Sequence, residues 1–180
     1  MTAELLLGIA SIVTSLGTII TVLIAIKSFN VAKKSFLADH ERRKKQATIE
    51  TYNEISSKVS LPLRLAICEA YNETLGAYSY RQIRPTDKEW IGNSDLQFKF
   101  ITYCRYMERF ATGVEIGVFD FDTFNRFSGH QTALLFEQIK PLIDDRNSHR
   151  RFCVEFHKFY IELIKSHAPI KPKNADSHIH

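Results

Sequence analysis

A mostly apolar, uncharged run extends from Leu5 to Ile26, and beyond that point apolar residues recur at helical intervals almost to the end of the chain. The first stretch is 22 residues without a charge or a proline. As a helix it would be about 33 Å long, close to the thickness of a bilayer's hydrocarbon core. It predicts one transmembrane helix within residues 1–27. No glycine or proline occurs between Gly17 and Pro62, and Ile49, Tyr52, Ile55 and Val59 continue an apolar face. The same helix should therefore run on through a basic juxtamembrane segment, residues 28–60.

The pattern then breaks into shorter helices. Ser60 and Pro62 mark a start and Gly76 a stop, with Leu61, Leu65, Cys68 and Leu75 facing inward. Asn93 or Ser94 suits the cap of a helix on which Leu96, Phe100, Tyr103, Met107, Phe110 and Val114 repeat at intervals of three and four. Gly113 and Gly117 should loosen its end. Asp120 or Asp122 caps a helix carrying Phe124, Phe127, Leu134, Leu135 and Ile139, which Pro141 should end or kink. Asn147 or Ser148 caps the last, with Phe152, Phe156, Phe159, Tyr160, Leu163 and Ile164. The expected fold is all-α, with one N-terminal transmembrane helix continuing into a cytoplasmic helical bundle over residues 61–168. Residues 169–180, with two prolines and no periodicity, should be a disordered tail.

Charge sets the expected orientation. Residues 27–45 hold seven basic and two acidic side chains, and only Glu4 is charged before the span. Basic residues beside a span stay in the cytoplasm, which places the N-terminus outside and residues 27–180 in the cytoplasm. A cleaved signal peptide would need a basic start and a shorter apolar core. Arg42, Arg43, Lys44 and Lys45 also suit anionic lipid headgroups. Residues 46–180 carry 17 basic and 17 acidic side chains, a balance that argues against a generally basic nucleic-acid-binding domain.

Within the span, Ser11, Thr14, Thr18, Thr21, Ala25 and Ser28, followed by Ala32 and Ser35, repeat every 3.5 residues on average. They form a stripe of small side chains. Such a stripe favours close helix–helix contact in a homo-oligomer. Lining of a pore by its hydroxyls is a second reading. Hydroxyls bonded back to their own helix, with no wider meaning, are a third.

The chemical inventory is mostly negative. There is no phosphate-cradling glycine loop, no zinc-protease helix motif and no serine-nucleophile elbow. Neither an enzyme nor a cofactor is expected. The seven histidines form no metal-ligand pair on one helix face, and His178 and His180 alone make a poor site. Cys68, Cys104 and Cys153 are too dispersed for a metal site and read as small buried thiols. The pair Asp120 and Asp122 suits helix capping better than cation binding. Arg105 and Arg109, on the aromatic-rich helix, and Arg126, on the next, read in two ways. One is an ion-pair network around Glu108; the other is a cationic pocket for a phosphate-bearing small molecule or short oligonucleotide. Arg146, Arg150 and Arg151, with His149, form a second such cluster or a solvated helix start.

One resemblance accompanies these residues. The Arg-Arg-Lys-Lys stretch followed by Ala-Thr-Ile-Glu-Thr-Tyr-Asn-Glu-Ile (residues 47–55) resembles a bacterial family of uncharacterised membrane-anchored helical proteins. So does Tyr-Met-Glu-Arg-Phe-Ala-Thr-Gly-Val (106–114) with Gly117 and Asp120. The likeness covers roughly residues 40–165 and implies an all-α cytoplasmic domain without a known chemistry. The layout also resembles that of membrane effectors in anti-phage systems, an analogy of architecture only. The expected function is an oligomeric inner-membrane effector, pore-forming or channel-forming and controlled by its cytoplasmic domain. The alternative is a membrane-tethered scaffold or sensor that meets a cytosolic partner protein and does not conduct.

Overall fold

The structure is a computed structural model describing residues 3–72, 81–149 and 151–166, with side chains described for 14–72, 81–148 and 151–166. Among these residues all regular structure is helical and no strand occurs. By its contacts the chain divides into two compact units, Met1–Arg43 and Lys44–His180. Residues 73–80, Arg150 and the C-terminal tail lie outside the described residues, so the expected stop at Gly76, the inward Leu75 and the disordered tail lie there too.

Helix α1 spans Ala3–Ile55 without interruption. It passes directly into a π-helical turn, Ser56–Ser60, and then into α2, Leu61–Tyr71. Pro62 explains this junction. Proline has no N–H, and its ring crowds the carbonyl four residues back. In the π-turn the Leu61 N–H reaches five residues back to the Ser56 carbonyl, so the helix widens ahead of the proline and does not break.

This corrects one expectation. Ser60 has helical torsions and makes no capping bond, so it does not start a new helix. The inward face of α2 follows the phase set by Tyr52, Ile55 and Val59, and Leu63, Ala66 and Ile67 are buried. Leu61 and Leu65, expected to face inward, are exposed, as is Ile49; Thr48 is fully buried beside it. Helix α2 stops at Asn72, which takes the left-handed conformation.

The other elements are α3 (Lys88–Ile91), α4 (Ser94–Glu115), α5 (Phe121–Phe124), a second π-turn (Asn125–Gly129), α6 (His130–His149) and α7 (Val154–Lys165). Asn93 caps α4 by accepting the Leu96 N–H at 2.9 Å, and Leu96, Phe100, Tyr103, Met107 and Phe110 are buried along one face as their spacing predicts. Helix α4 is central and packs on α7, α2 and the first π-turn. Pro141 does not end α6, which runs on to His149. The buried Ile139, Leu142 and Ile143 anchor the helix on both sides of it. Of the side chains expected inward on α5 and α6, Phe127 is exposed, although its ring edge still meets Tyr52 and Phe124.

The core of this unit is aromatic. Phe110 stacks on Phe119 with ring centroids 4.9 Å apart, Phe124 meets Phe159 at 5.1 Å, and Phe136 stacks on Tyr160 at 4.0 Å. Gly113 does not loosen α4. A β-carbon there would stand 2.5 Å from the Phe119 ring, and the Gly113 carbonyl accepts the N–H groups of both Val118 and Phe119. The glycine is what lets Phe119 fold back onto Phe110. Gly113→Ala should therefore overpack this contact and lower stability by about 1–3 kcal/mol, read as a fall in the unfolding midpoint of the detergent-solubilised chain.

Candidate functional site

Among the described residues, one helix is long and apolar enough to cross a membrane, near the N-terminus. From Thr14 onward its side chains are exposed as far as Arg43. Eleven large apolar residues between Leu16 and Leu37 are each at least 51% exposed. Thr14, Thr18, Thr21, Ala25 and Ser28 are exposed on the same helix; the Ser11 side chain lies outside the described residues. Two of the hydroxyls have an internal use. Thr18 donates to the Thr14 carbonyl at 2.9 Å and Thr21 to the Gly17 carbonyl at 2.8 Å.

Arg42, Arg43 and Lys45 are exposed and Lys44 is half-buried. The ion pair in this stretch is Arg43 with Asp39 at 2.8 Å, one turn back on the helix. Exposed pairs of this kind contribute little, so most of the positive charge stays available. Inside the helical unit, Lys44 carries a second feature through its carbonyl. Thr48 donates its hydroxyl to that carbonyl at 2.8 Å and accepts the Asp120 N–H at 2.7 Å. A buried hydroxyl thus fixes the approach to α5.

The arginines singled out in the sequence do not converge. Arg105, Arg109, Arg126 and Arg151 are exposed, and Arg150 is outside the described residues. Arg146 is half-buried, its guanidinium 5.6 Å from the Phe152 ring centre and 5.8 Å from that of Phe100. Among the described residues no ion pair includes Arg105, Arg109 or Arg126. Glu108 has a different task. Its two oxygens accept the N–H groups of Glu155 and Phe156, at 3.0 and 2.8 Å. It caps α7 from another helix, because Cys153, the residue before α7, is in the left-handed conformation and supplies no cap. Of the two residues expected to cap α7, Asn147 accepts the Phe152 N–H at 2.7 Å, one turn too early, and Ser148 donates back to the Asp145 carbonyl at 2.6 Å.

Asp120 caps α5 by accepting the Thr123 N–H at 2.8 Å, and Asp122 is exposed. The hydrogen bonds from Thr123 hold the Asp120 carboxyl below its usual pKa, with help from Lys44 and Lys45 and against partial desolvation. No cluster of three metal-ligating side chains occurs among the described residues. Cys104 and Cys153 are buried, and burial, reinforced by the neighbouring Cys153 thiol, pushes the Cys104 thiol well up.

Two of the cavities in the helical unit are lined wholly by described residues. The larger, about 510 Å³, is walled by Val114, Phe121, Phe159 and Ile161 and edged by Glu115, Glu155, Lys158 and Glu162. Three carboxylates to one ammonium is the wrong sign for a phosphate. The smaller, about 320 Å³, is lined by both π-turns and by Arg64, Ser60 and Gln131 among others. Neither cavity is lined by an arginine that the sequence had nominated. Arg64 escaped notice because, between Leu63 and Leu65, it reads as a solvated helix position. A usable signal was present, since Asn53, Ser57, Ser60 and Arg64 form a polar stripe at intervals of four, three and four.

The chain belongs to the family described as domain of unknown function DUF4760, whose model matches residues 8–163. The match takes in both the apolar helix and the helical unit, a wider span than the residues that first suggested a resemblance. No curated protein and no solved structure matches the chain.

Two outcomes follow from the caps. Glu108→Ala leaves two N–H groups of α7 without their charged acceptor and should cost about 1.5–3 kcal/mol, while Glu108→Gln, which keeps one acceptor, should cost less; urea unfolding measures both. Asp120 is a carboxylate with a depressed pKa in the folded state. Its contribution is full above the unfolded-state value and is lost as pH falls through the folded one. The wild type should therefore lose more stability than Asp120→Asn on acidification below the ordinary aspartate range, as shown by melting temperature against pH.

Proposed function

We propose that this DUF4760 protein is anchored in a bacterial inner membrane by a single span, with its N-terminus outside and its helical unit in the cytoplasm, and acts as an oligomeric membrane effector. The observation that carries this reading is the row of eleven exposed apolar side chains between Leu16 and Leu37. Each would cost about 1.5–3 kcal/mol if left in water, and lipid relieves that cost without requiring a protein partner. The charge asymmetry across the span supports the orientation. The small-residue stripe, exposed from Thr14 to Ser28, supports self-association. A single helix per chain encloses no conduit, so conduction would require several copies around an axis. An anti-phage role extends this by analogy of architecture.

A second reading, a tether or scaffold that does not conduct, is favoured by a specific observation. Thr18 and Thr21 donate their protons to their own helix, which leaves only acceptor lone pairs to face a pore. The two readings separate in planar bilayers. An effector passes current when purified protein is added, and Thr18→Asp changes its ion selectivity; oligomers that stay silent support the scaffold. Self-association has its own test in crosslinking of membranes. Thr18→Leu and Ala25→Leu should lower oligomer yield, and Ile19→Leu, off the stripe, should not. Equal yields from all three would remove the stripe from the argument. A C-terminal reporter active only in the periplasm would reverse the topology.

A further inference from the structure

The smaller cavity is built unlike the rest of the core. Nine of its eleven lining residues are polar, and Arg64 is the one that carries a charge. The two π-turns, far apart in sequence, supply four of these residues, Ser56, Ser57 and Ser60 from the first and Ser128 from the second. A π-turn departs from regular helix geometry, and such turns recur at functional sites because they re-aim side chains. Across the cavity wall the Tyr52 hydroxyl meets that of Thr132 at 2.8 Å, joining α1 to α6.

Two features of this lining are left without protein partners. The Ser60 side-chain oxygen is sealed from solvent in a residue only 5% exposed, yet it has no hydrogen-bond partner among the described residues. Buried hydroxyls are nearly always paired, by protein or by something bound. Arg64 is half-buried, and no ion pair among the described residues includes it. A guanidinium presents a planar fork of donors that matches a carboxylate or a phosphate. A cavity of about 320 Å³ lies at the lower end of the range for small-ligand sites, roughly 300–1,000 Å³.

We propose that this cavity binds a small hydroxylated oxyanion, a polyol phosphate or hydroxy-carboxylate, with the anionic group on Arg64 and the hydroxylated body hydrogen-bonded to Asn53, to Gln131 and, once its side chain turns toward the cavity, to Ser60. One cation matches one anionic group, and neutral lining groups that both donate and accept match hydroxyls. A polyanion such as an oligonucleotide would find a single countercharge and too little room. The site does not depend on whether the apolar helix conducts.

The test is isothermal titration calorimetry on the full chain in detergent micelles, with glycerol 3-phosphate and glycerate as the two anionic arms and glycerol as the neutral control. Saturable one-site binding of at least one anion is expected, and the stronger arm identifies the headgroup. Glycerol alone should bind at least about tenfold more weakly, the scale of one charge-assisted hydrogen bond. Arg64→Gln should weaken binding by about the same factor, and Arg105→Gln should leave it unchanged. Ser60→Ala keeps the test informative if Arg64→Gln folds poorly. Losing an unpartnered hydroxyl should hold or raise the melting temperature of the free protein, while anion affinity falls severalfold. Binding of neither anion, binding indifferent to both Arg64→Gln and Ser60→Ala, or binding lost with Arg105→Gln would each overturn the proposal. A cavity filled by water alone gives the first of these results.

Discussion

Tyr52 is the point on which the helical unit closes. Its ring lies 4.7 Å from Phe124, 5.6 Å from Phe127 and 5.8 Å from Phe110, each contact edge-on, and its hydroxyl bonds Thr132. One side chain on the last turns of α1 thus touches α4, α5, the second π-turn and α6. Edge-on aromatic pairs contribute about 0.5–1.5 kcal/mol each beyond burial, so the cluster is worth several times a single apolar contact. It also has a direction. The phenol must reach Thr132 while the ring lies against Phe124, and that fixes the rotation of α1 about its own axis. The phase of Ile55, Val59 and Leu63 follows from it.

That phase is carried through a proline. Proline commonly kinks or breaks a helix, and the next segment can then take a new inward face. The π-turn lets the backbone pass, so the stripe begun by Tyr52 continues into α2. The same turn presents Ser56, Ser57 and Ser60 on the flank of the stripe, where Ser128 of the second π-turn also arrives. An adaptation to proline and a hydroxyl-lined cavity are therefore one structural event. Nothing in the aromatic core needs those hydroxyls, and the buried, unpartnered Ser60 oxygen works against stability.

The long-range pins follow a common logic. Thr48 holds the approach to α5, Glu108 caps α7, and Gly113 admits Phe119. Each satisfies or accommodates a group 6 to 72 residues away in sequence. The arginines beside Glu108 on α4 are exposed and make no ion pair among the described residues. The carboxylate they seemed to match is committed to backbone N–H groups, where two donors of a helix start offer stronger and better-oriented bonds than a solvated guanidinium.

Periodicity and length were enough to read the long apolar helix, the all-α class, the inward face of α4, and two capping positions to within a residue or two, which the structure assigns to Asn93 over Ser94 and to Asp120 over Asp122. These are local properties, since a run of apolar residues, a 3.6-residue repeat and a side-chain oxygen three residues from an N–H each act within one or two turns. Junctions and partners were not legible. The register of α2 depends on Tyr52 and on how the backbone passes Pro62, and the cap of α7 comes from a helix some 47 residues earlier. The persistence of α6 through Pro141 depends on buried neighbours on either side. The polar stripe from Asn53 to Arg64 was present in the sequence, but a stripe on one helix is indistinguishable from a solvated face. Only tertiary structure brings a second π-turn and Thr132 against it, and so turns a surface into a cavity.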